Sequence, residues 1–195
     1  ITADPEPGYI AVKESVLPFN RFLGGDILLG PEMKSTGEVM GIDTDLGVAF
    51  AKSQIAARQS LPLGGKVFIS VKDYDKEEIA AVGKGFYDMG FEILSTPGTA
   101  QFLGDHGIPV TRLSRIGEGR PNLLDYIKNK DVGLLINTPS GPKPRRDEVV
   151  IRSTAISHGI PVVTTVSGAV AVIGGIRALK QGTFGIRSLQ EIYST

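Results

Sequence analysis

Short polar turns follow five apolar runs of this sequence, and they contain the side chains best suited to bind an anion. Their residues are Lys72, Lys76, Ser95 to Thr99, Ser114, Arg115, Asn137 to Ser140, Thr164 and Thr165. Hydroxyl groups and backbone amides donate hydrogen bonds to phosphate oxygens, a helix N-terminus favours negative charge, and Lys or Arg neutralises it. The pattern predicts one binding site for a small anionic ligand.

The elements that must position these turns alternate regularly after Gly65. Strands are predicted at 66–71, 91–94, 109–113, 132–136 and 160–164, with a helix after each of them. This alternation indicates βαβ units with right-handed crossovers. The predicted fold is a three-layer α/β domain with a five-stranded parallel sheet, and all its strand ends open onto one edge.

Each polar turn taken alone has a simpler explanation. A Thr near the start of a helix, such as Thr99 or Thr165, is most often only an N-cap. Because several such turns are predicted on the same edge of one sheet, a shared ligand site explains them better than separate caps do.

The first third of the chain is less regular. Residues 1–41 are rich in Gly and Pro, and the short runs at 9–13 and 38–42 are predicted strands too few for a core of their own. A helix is predicted from about 44 to 57, with Thr44 or Asp45 as its cap. Because the chain begins at Ile1 without a Met, we expect a piece of a longer polypeptide whose upstream domain ends near residue 60.

Composition limits the classes of function. Among 195 residues, Lys plus Arg and Asp plus Glu both number 21, so the formal net charge is zero. That balance gives no support for a nucleic-acid or membrane partner, which would require a basic excess or patch. The absence of Cys removes disulfide and thiolate chemistry and favours a reducing compartment, the cytoplasm.

No set of residues completes a catalytic or metal site. His106 and His158 precede Gly-Ile at predicted helix ends, where a His bonds a terminal carbonyl or interacts with the helix dipole. Both would lie at the edge opposite the polar turns, which excludes a Ser-His-Asp arrangement. Without Cys or a pair of His at ligand spacing, no metal is expected. Asp73 and Asp75 are more simply solvated charges or, for Asp75, an N-cap.

Two parts of the sequence carry a family resemblance. Residues 14–22 and the string LLGPEMKSTGEVMG at 28–41 resemble the end of the second ATP-grasp unit of the carbamoyl phosphate synthetase large subunit. From Gly65 onward, the chain is similar to the C-terminal allosteric domain of that subunit, which has the methylglyoxal-synthase-like fold. The resemblance implies an ATP-grasp remnant at 1–60 and an allosteric domain at 61–195.

The same resemblance implies a function for the parent protein. The large subunit is an ATP-dependent ligase that makes carbamoyl phosphate from bicarbonate, two ATP and ammonia supplied by a glutaminase small subunit, for pyrimidine and arginine biosynthesis. Its ATP and its Mg or Mn belong to the ATP-grasp domains upstream, so we expect neither a cofactor nor catalysis in this chain. Its last domain binds nucleotide monophosphate effectors, UMP as an inhibitor or IMP as an activator. A homo-oligomer is a further expectation.

The resemblance also assigns effector-binding residues. They are Lys76, Thr96, Thr99, Arg115, Asn137, Thr138 and Ser140. Arg115 stands where the family usually has Lys, which keeps the charge but supplies a planar, bidentate donor. Pro139 replaces a Thr that contacts the effector in better-known members. Ser70 matches a position that influences regulation.

A second ligand is implied for some members of the family. Their ornithine site uses residues that match Glu14 and Thr164, but the aromatic residue expected beside them is Val162 here. Other acidic ligands of that site would lie upstream of Ile1, so the fragment is not expected to respond to ornithine.

Two alternatives to effector binding are considered. Methylglyoxal synthase needs a catalytic carboxylate within a Gly-Gly-Asp pattern, where this chain has Gly119-Arg120, and a cation cannot abstract a proton. The His of that enzyme is also absent from 141–147. An oligomerisation or docking module with merely solvated turns is the other alternative, and it would show no saturable, phosphate-dependent nucleotide binding.

Overall fold

The computed structural model describes residues 8–17, 37–141, 146–182 and 185–193. The strands are β1 (Ile10–Val16), β2 (Gly37–Asp43), β3 (Lys66–Ser70), β4 (Glu92–Ser95), β5 (Thr111–Arg112), β6 (Leu134–Asn137) and β7 (Val162–Val163). The helices are α1 (Leu46–Ala56), α2 (Lys76–Asp88), α3 (Pro97–Asp105), α4 (Leu123–Lys128), α5 (Arg146–Ser157), α6 (Val166–Gln181) and α7 (Leu189–Tyr193). A short 3-10 turn, Asp73–Asp75, leads into α2.

Five parallel strands form the main sheet, in the order β5-β4-β3-β6-β7. The chain starts at the central strand β3, moves outward through β4 and β5, and then returns to the other side of β3 through β6 and β7. The strand order therefore reverses between β3 and β6, which is where open α/β sheets bind ligands. The predicted five-stranded parallel sheet is confirmed.

The edge strands β5 and β7 are shorter than the sequence predicts. Each pairs with one neighbour over only two residues, whereas strands of five residues were expected at 109–113 and 160–164. Pro109 and Pro161 lack an amide hydrogen, so they cannot donate to a ladder at the start of these strands.

The core lies on both faces of the sheet. Successive residues of β3 point to opposite faces, so Val67 and Ile69 pack with α2, α3 and α6, whereas Phe68 packs with α4 and α5. All three side chains are fully buried. This arrangement confirms the three predicted layers.

The helix boundaries follow local signals. Of the two residues predicted to cap α1, Asp45 does so, because its side chain accepts a hydrogen bond from the amide of Val48 at 2.9 Å. Gly90, two residues after the last residue of α2, adopts a φ of 85°, a backbone conformation that favours glycine and ends the helix.

Strands β1 and β2 form a separate two-stranded antiparallel sheet. Helix α1 packs between this small sheet and α6. Gly41 of β2 lies so close to α1 that an added Cβ atom would clash with the carbonyl oxygen of Ala49, and a Cβ at Gly47 would lie 2.6 Å from the carbonyl oxygen of Gly174 in α6. Residues 18–36, which hold most of the LLGPEMKSTGEVMG string, lie outside the described residues.

Candidate functional site

One cavity of about 410 Å³ opens at the carboxyl ends of β3, β4, β5 and β6. All seven predicted effector-binding residues line it, namely Lys76, Thr96, Thr99, Arg115, Asn137, Thr138 and Ser140. Ser70 lines it as well. The volume falls in the range of ~300–1,000 Å³ that is typical of small-molecule sites.

The wall formed by β3, β4 and α3 presents hydroxyl groups. The Ser70 Oγ and Thr96 Oγ1 atoms lie 2.9 Å apart and share a hydrogen bond. Thr96 occupies the N-cap position of α3, but its side chain makes no capping hydrogen bond. Thr99 does not cap the helix either, because its Oγ1 accepts a hydrogen bond from the amide of Val71 at 3.3 Å. The simple capping explanation therefore fails for Thr99, and both threonines face the cavity.

Cationic groups stand around this wall. The Lys76 Nζ lies 2.6 Å from Asp73 Oδ1, but the Asp73 side chain is 93% exposed, so water screens this pair strongly. The Lys72 Nζ lies 5.6 Å from the ring centre of Tyr74, and both residues line the cavity. Arg115 is half-exposed at the mouth. These side chains can neutralise an anion that enters from solvent.

The opposite wall is built from β6 and α5. The Asn137 side-chain amide donates to the carbonyl of Ser70 at 3.2 Å, and Asn137 Oδ1 accepts from Nη1 of the fully buried Arg152 at 2.9 Å. The Thr138 Oγ1 accepts from the amide of Lys72 at 3.0 Å. Asn137 and Thr138 therefore hold the turn after β6 against the turn after β3, and so fix the shape of the cavity between them.

The cavity lining also includes two carboxylates, Asp147 and Glu148, which the sequence reasoning missed. The hydroxyl of Ser140 donates to Glu148 Oε1, and the amide of Ser140 lies 3.4 Å from Oε2. The same carboxylate lies 3.8 Å from Nη1 of Arg152. The signal in the sequence was a helix predicted from about residue 146, soon after the turn at 137–141, with acidic residues in its first turn and Arg152 four residues after Glu148.

The turn after β7 does not line the cavity, nor do Glu14 and Pro139. Thr165 caps α6, since its Oγ1 accepts from the amide of Gly168 at 3.1 Å, so the simpler explanation holds there. Thr164 is half-buried next to it. Glu14 lies on β1, where its carboxylate accepts a hydrogen bond from Gln54 of α1 at 3.1 Å. Partial burial raises the pKa of Glu14 above its ordinary value, and that hydrogen bond opposes the rise.

Both histidines lie at helix ends, as predicted. The Nδ1 of His106 donates to the carbonyl of Phe102 at 2.8 Å after α3, and that of His158 donates to the carbonyl of Thr154 at 2.9 Å after α5. Arg120 is 80% exposed, lies 3.6 Å from Asp125 and is not part of the cavity lining.

Among the described residues, no group of three or more His, Asp or Glu could hold a metal ion. Within the same part of the chain, no helix has the length and apolar character needed to cross a membrane.

The comparisons of this chain with known proteins agree on one family. The MGS-like domain family matches residues 78–164. Over 194 residues, the chain is 47% identical to the carbamoyl phosphate synthase large chain of Rhodopirellula baltica, which covers 100% of this chain and 18% of that protein. It is also 47% identical over 195 residues to the chloroplastic carbamoyl phosphate synthase arginine-specific large chain of Oryza sativa subsp. japonica, covering 100% of this chain and 17% of that protein.

The crystal structure of methylglyoxal synthase from Elizabethkingia anophelis is a more distant likeness, with a TM-score of 0.47 and 13% identity over 58% of this chain and 79% of that chain. By contrast with its full coverage of this chain, the match spans less than a fifth of the length of each of the two carbamoyl phosphate synthase relatives.

Proposed function

We propose that this chain, which is homologous over its whole length to part of the carbamoyl phosphate synthase large chain and contains an MGS-like domain, is the regulatory region of such an enzyme. Its ligand is a nucleoside monophosphate of the UMP or IMP type, bound in the cavity at the carboxyl ends of the sheet. The chain does not act as a methylglyoxal synthase, because the residue that matches the catalytic acid of that enzyme is the cation Arg120, which is not part of the cavity lining.

The observation that carries this proposal is the convergence of all seven expected residues on one cavity. Thr96 and Thr99 offer hydroxyl groups beside the N-terminus of α3, and Lys76 supplies a cation. Hydroxyls, a helix N-terminus and a flexible ammonium group are the partners that a phosphate prefers. Asn137, Thr138 and Ser140 line the part of the cavity left for the nucleoside.

The parent enzyme would synthesise carbamoyl phosphate from two ATP, with ammonia from a glutaminase small subunit and with ATP-grasp domains upstream of this chain. The arginine-specific relative supports a link to arginine biosynthesis, and pyrimidine biosynthesis is the other route we propose. Effector binding would change how the domain packs against the upstream body through β1, β2 and α1. Such coupling requires different effector affinities in two states and is typically worth ~1–3 kcal/mol.

Calorimetric titration of the chain with UMP, IMP and ornithine tests the proposal. We expect saturable binding of UMP or IMP and none of ornithine. Lys76→Ala and Thr96→Ala should each weaken nucleotide binding by roughly tenfold, because each removes a hydrogen-bond donor to a charged group.

Lys84→Ala is the matched control. Lys84 lies on α2 like Lys76, but it pairs with Asp88 on the surface outside the cavity, so this variant should bind as the unsubstituted chain does. If the folded chain shows no saturable binding of either nucleotide, the effector proposal fails and a docking module becomes the better explanation.

A further inference from the structure

We infer that Glu148 makes the cavity select ligands with a single phosphate group over those with two or three. The inference rests on the proposed function, because it concerns the part of the same ligand that lies away from the phosphate-binding wall. It assigns a specificity role to a residue that the family resemblance did not include.

The cavity has a cationic side and an acidic side. Lys76 at the start of α2 and Arg115 after β5 supply positive charge, and Asp73, which pairs with Lys76, is almost fully exposed. The carboxylates of Asp147 and Glu148 lie on α5, beyond β6. Because α2 and α5 pack on opposite faces of the sheet, the Lys76 ammonium and the Glu148 carboxylate approach the cavity from opposite sides.

Glu148 is held in place more firmly than a surface carboxylate. It is only 8% exposed, and it accepts hydrogen bonds from both the hydroxyl and the amide of Ser140. Behind it, the guanidinium of Arg152 lies 3.8 Å away and is itself fully buried against Asn137. Arg152 is not part of the cavity lining. A ligand therefore meets the negative carboxylate and not the cation behind it.

This arrangement discriminates between the two ends of a ligand. A phosphate bound at Thr96 and Thr99 leaves the sugar hydroxyls of a nucleoside monophosphate free to donate to an acidic group, a contact that carboxylates commonly make with ribose. A di- or triphosphate that places its terminal phosphate at Thr96 and Thr99 has its inner phosphates between that position and the ribose, on the side of Glu148, and placing like charges together opposes binding. Burial of Glu148 limits screening by water and so strengthens the repulsion.

Titration of the chain with UMP, UDP and UTP, without divalent cations, tests the inference. We expect UMP to bind tightest, and the ratio of UMP to UTP affinity to fall by roughly tenfold or more in Glu148→Gln, which keeps the acceptor for Ser140 but removes the charge. Glu78→Gln on the exposed side of α2 makes the same change in net charge outside the cavity and should leave the ratio unchanged.

A second measurement needs no variant and covers the case in which Glu148→Gln does not fold. In the unsubstituted chain, affinity should fall from UMP to UDP to UTP, because each phosphate adds negative charge next to Glu148. If cations alone governed binding, each added phosphate would strengthen binding instead.

The outcomes separate this inference from the proposed function. Equal binding of UMP and UTP, an affinity that rises from UMP to UTP, or an unchanged ratio in folded Glu148→Gln would overturn the role of Glu148 while the nucleotide site stands. A chain that binds none of the three nucleotides would overturn both.

Discussion

Glu14 is a carboxylate held half-buried between β1 and α1, and its position makes the stability of the fold depend on pH. Burial raises its pKa above the ordinary value of 4.5, and the hydrogen bond from Gln54 only partly opposes this. The folded state therefore binds the proton more tightly than the unfolded state does. Stability from this group is fully present below pH 4.5 and is lost as the pH rises through the raised pKa.

We expect Glu14→Gln to remove this loss of stability at higher pH. The variant should gain thermal stability relative to the unsubstituted chain at pH 7, and the gain should vanish near pH 4, where Glu14 is protonated in both states. Melting temperatures of both proteins across this pH range would measure the difference. Glu38→Gln on the exposed face of the same small sheet is the control, because its surface pair with Lys13 contributes little. A gain that is the same at every pH would contradict the assignment to Glu14.

At the scale of elements, α1 is held by two close approaches that only glycine permits. Gly41 brings β2 against the backbone of α1, and Gly47 brings α1 against the backbone of α6 at Gly174. Backbone atoms cannot move aside as the end of a flexible side chain can. The small antiparallel sheet is thereby fixed to α1, and α1 is fixed to the α/β unit.

Gly41→Ala should destabilise the chain by ~1–3 kcal/mol, because the added methyl group forces β2 away from α1. Gly37→Ala is the matched control on the same strand, since nothing lies within 4 Å of its added Cβ atom. Denaturant unfolding of both variants gives the two free energies. Equal stability of the two variants would show that β2 does not need the close contact.

At the scale of the whole molecule, we propose a division into an ATP-grasp remnant at 1–60 and an MGS-like allosteric domain at 61–195. Every residue that lines the cavity belongs to the second part. The first part contacts the second part through α1, where Phe50 and Ala51 pack on Gly175 of α6. We propose that regulation acts between the two parts through this contact of α6 with α1.

A shortened chain of residues 61–195 tests this division. We expect it to bind UMP with nearly unchanged affinity and to melt at a lower temperature, because removing α1 exposes the apolar surface of α6. Calorimetry and thermal unfolding of the two chains measure both effects. A shortened chain that folds but loses UMP binding would place part of the site in residues 1–60.

Much of the fold was predictable because its signals are local. The helical spacing of Ile79, Val82 and Phe86, and the stop at Gly90, lie within a few residues of one another. The candidate site was predictable for a related reason, since the carboxyl ends of parallel strands meet at one edge wherever the strands themselves are recognised. The resemblance to a known family then selected among the polar residues at that edge.

The sequence alone determined the alternation of strands and helices, the parallel sheet and the residues at its strand ends, because periodicity and turn chemistry act over short distances. Only the tertiary structure decided that the turn after β7 lies outside the cavity and that Glu148 lies inside it. Both outcomes depend on the order of strands in the sheet and on how α5 packs against β6, which bring together residues distant in the chain. Such long-range packing also placed Gly41 against α1, where its missing side chain lets two elements meet.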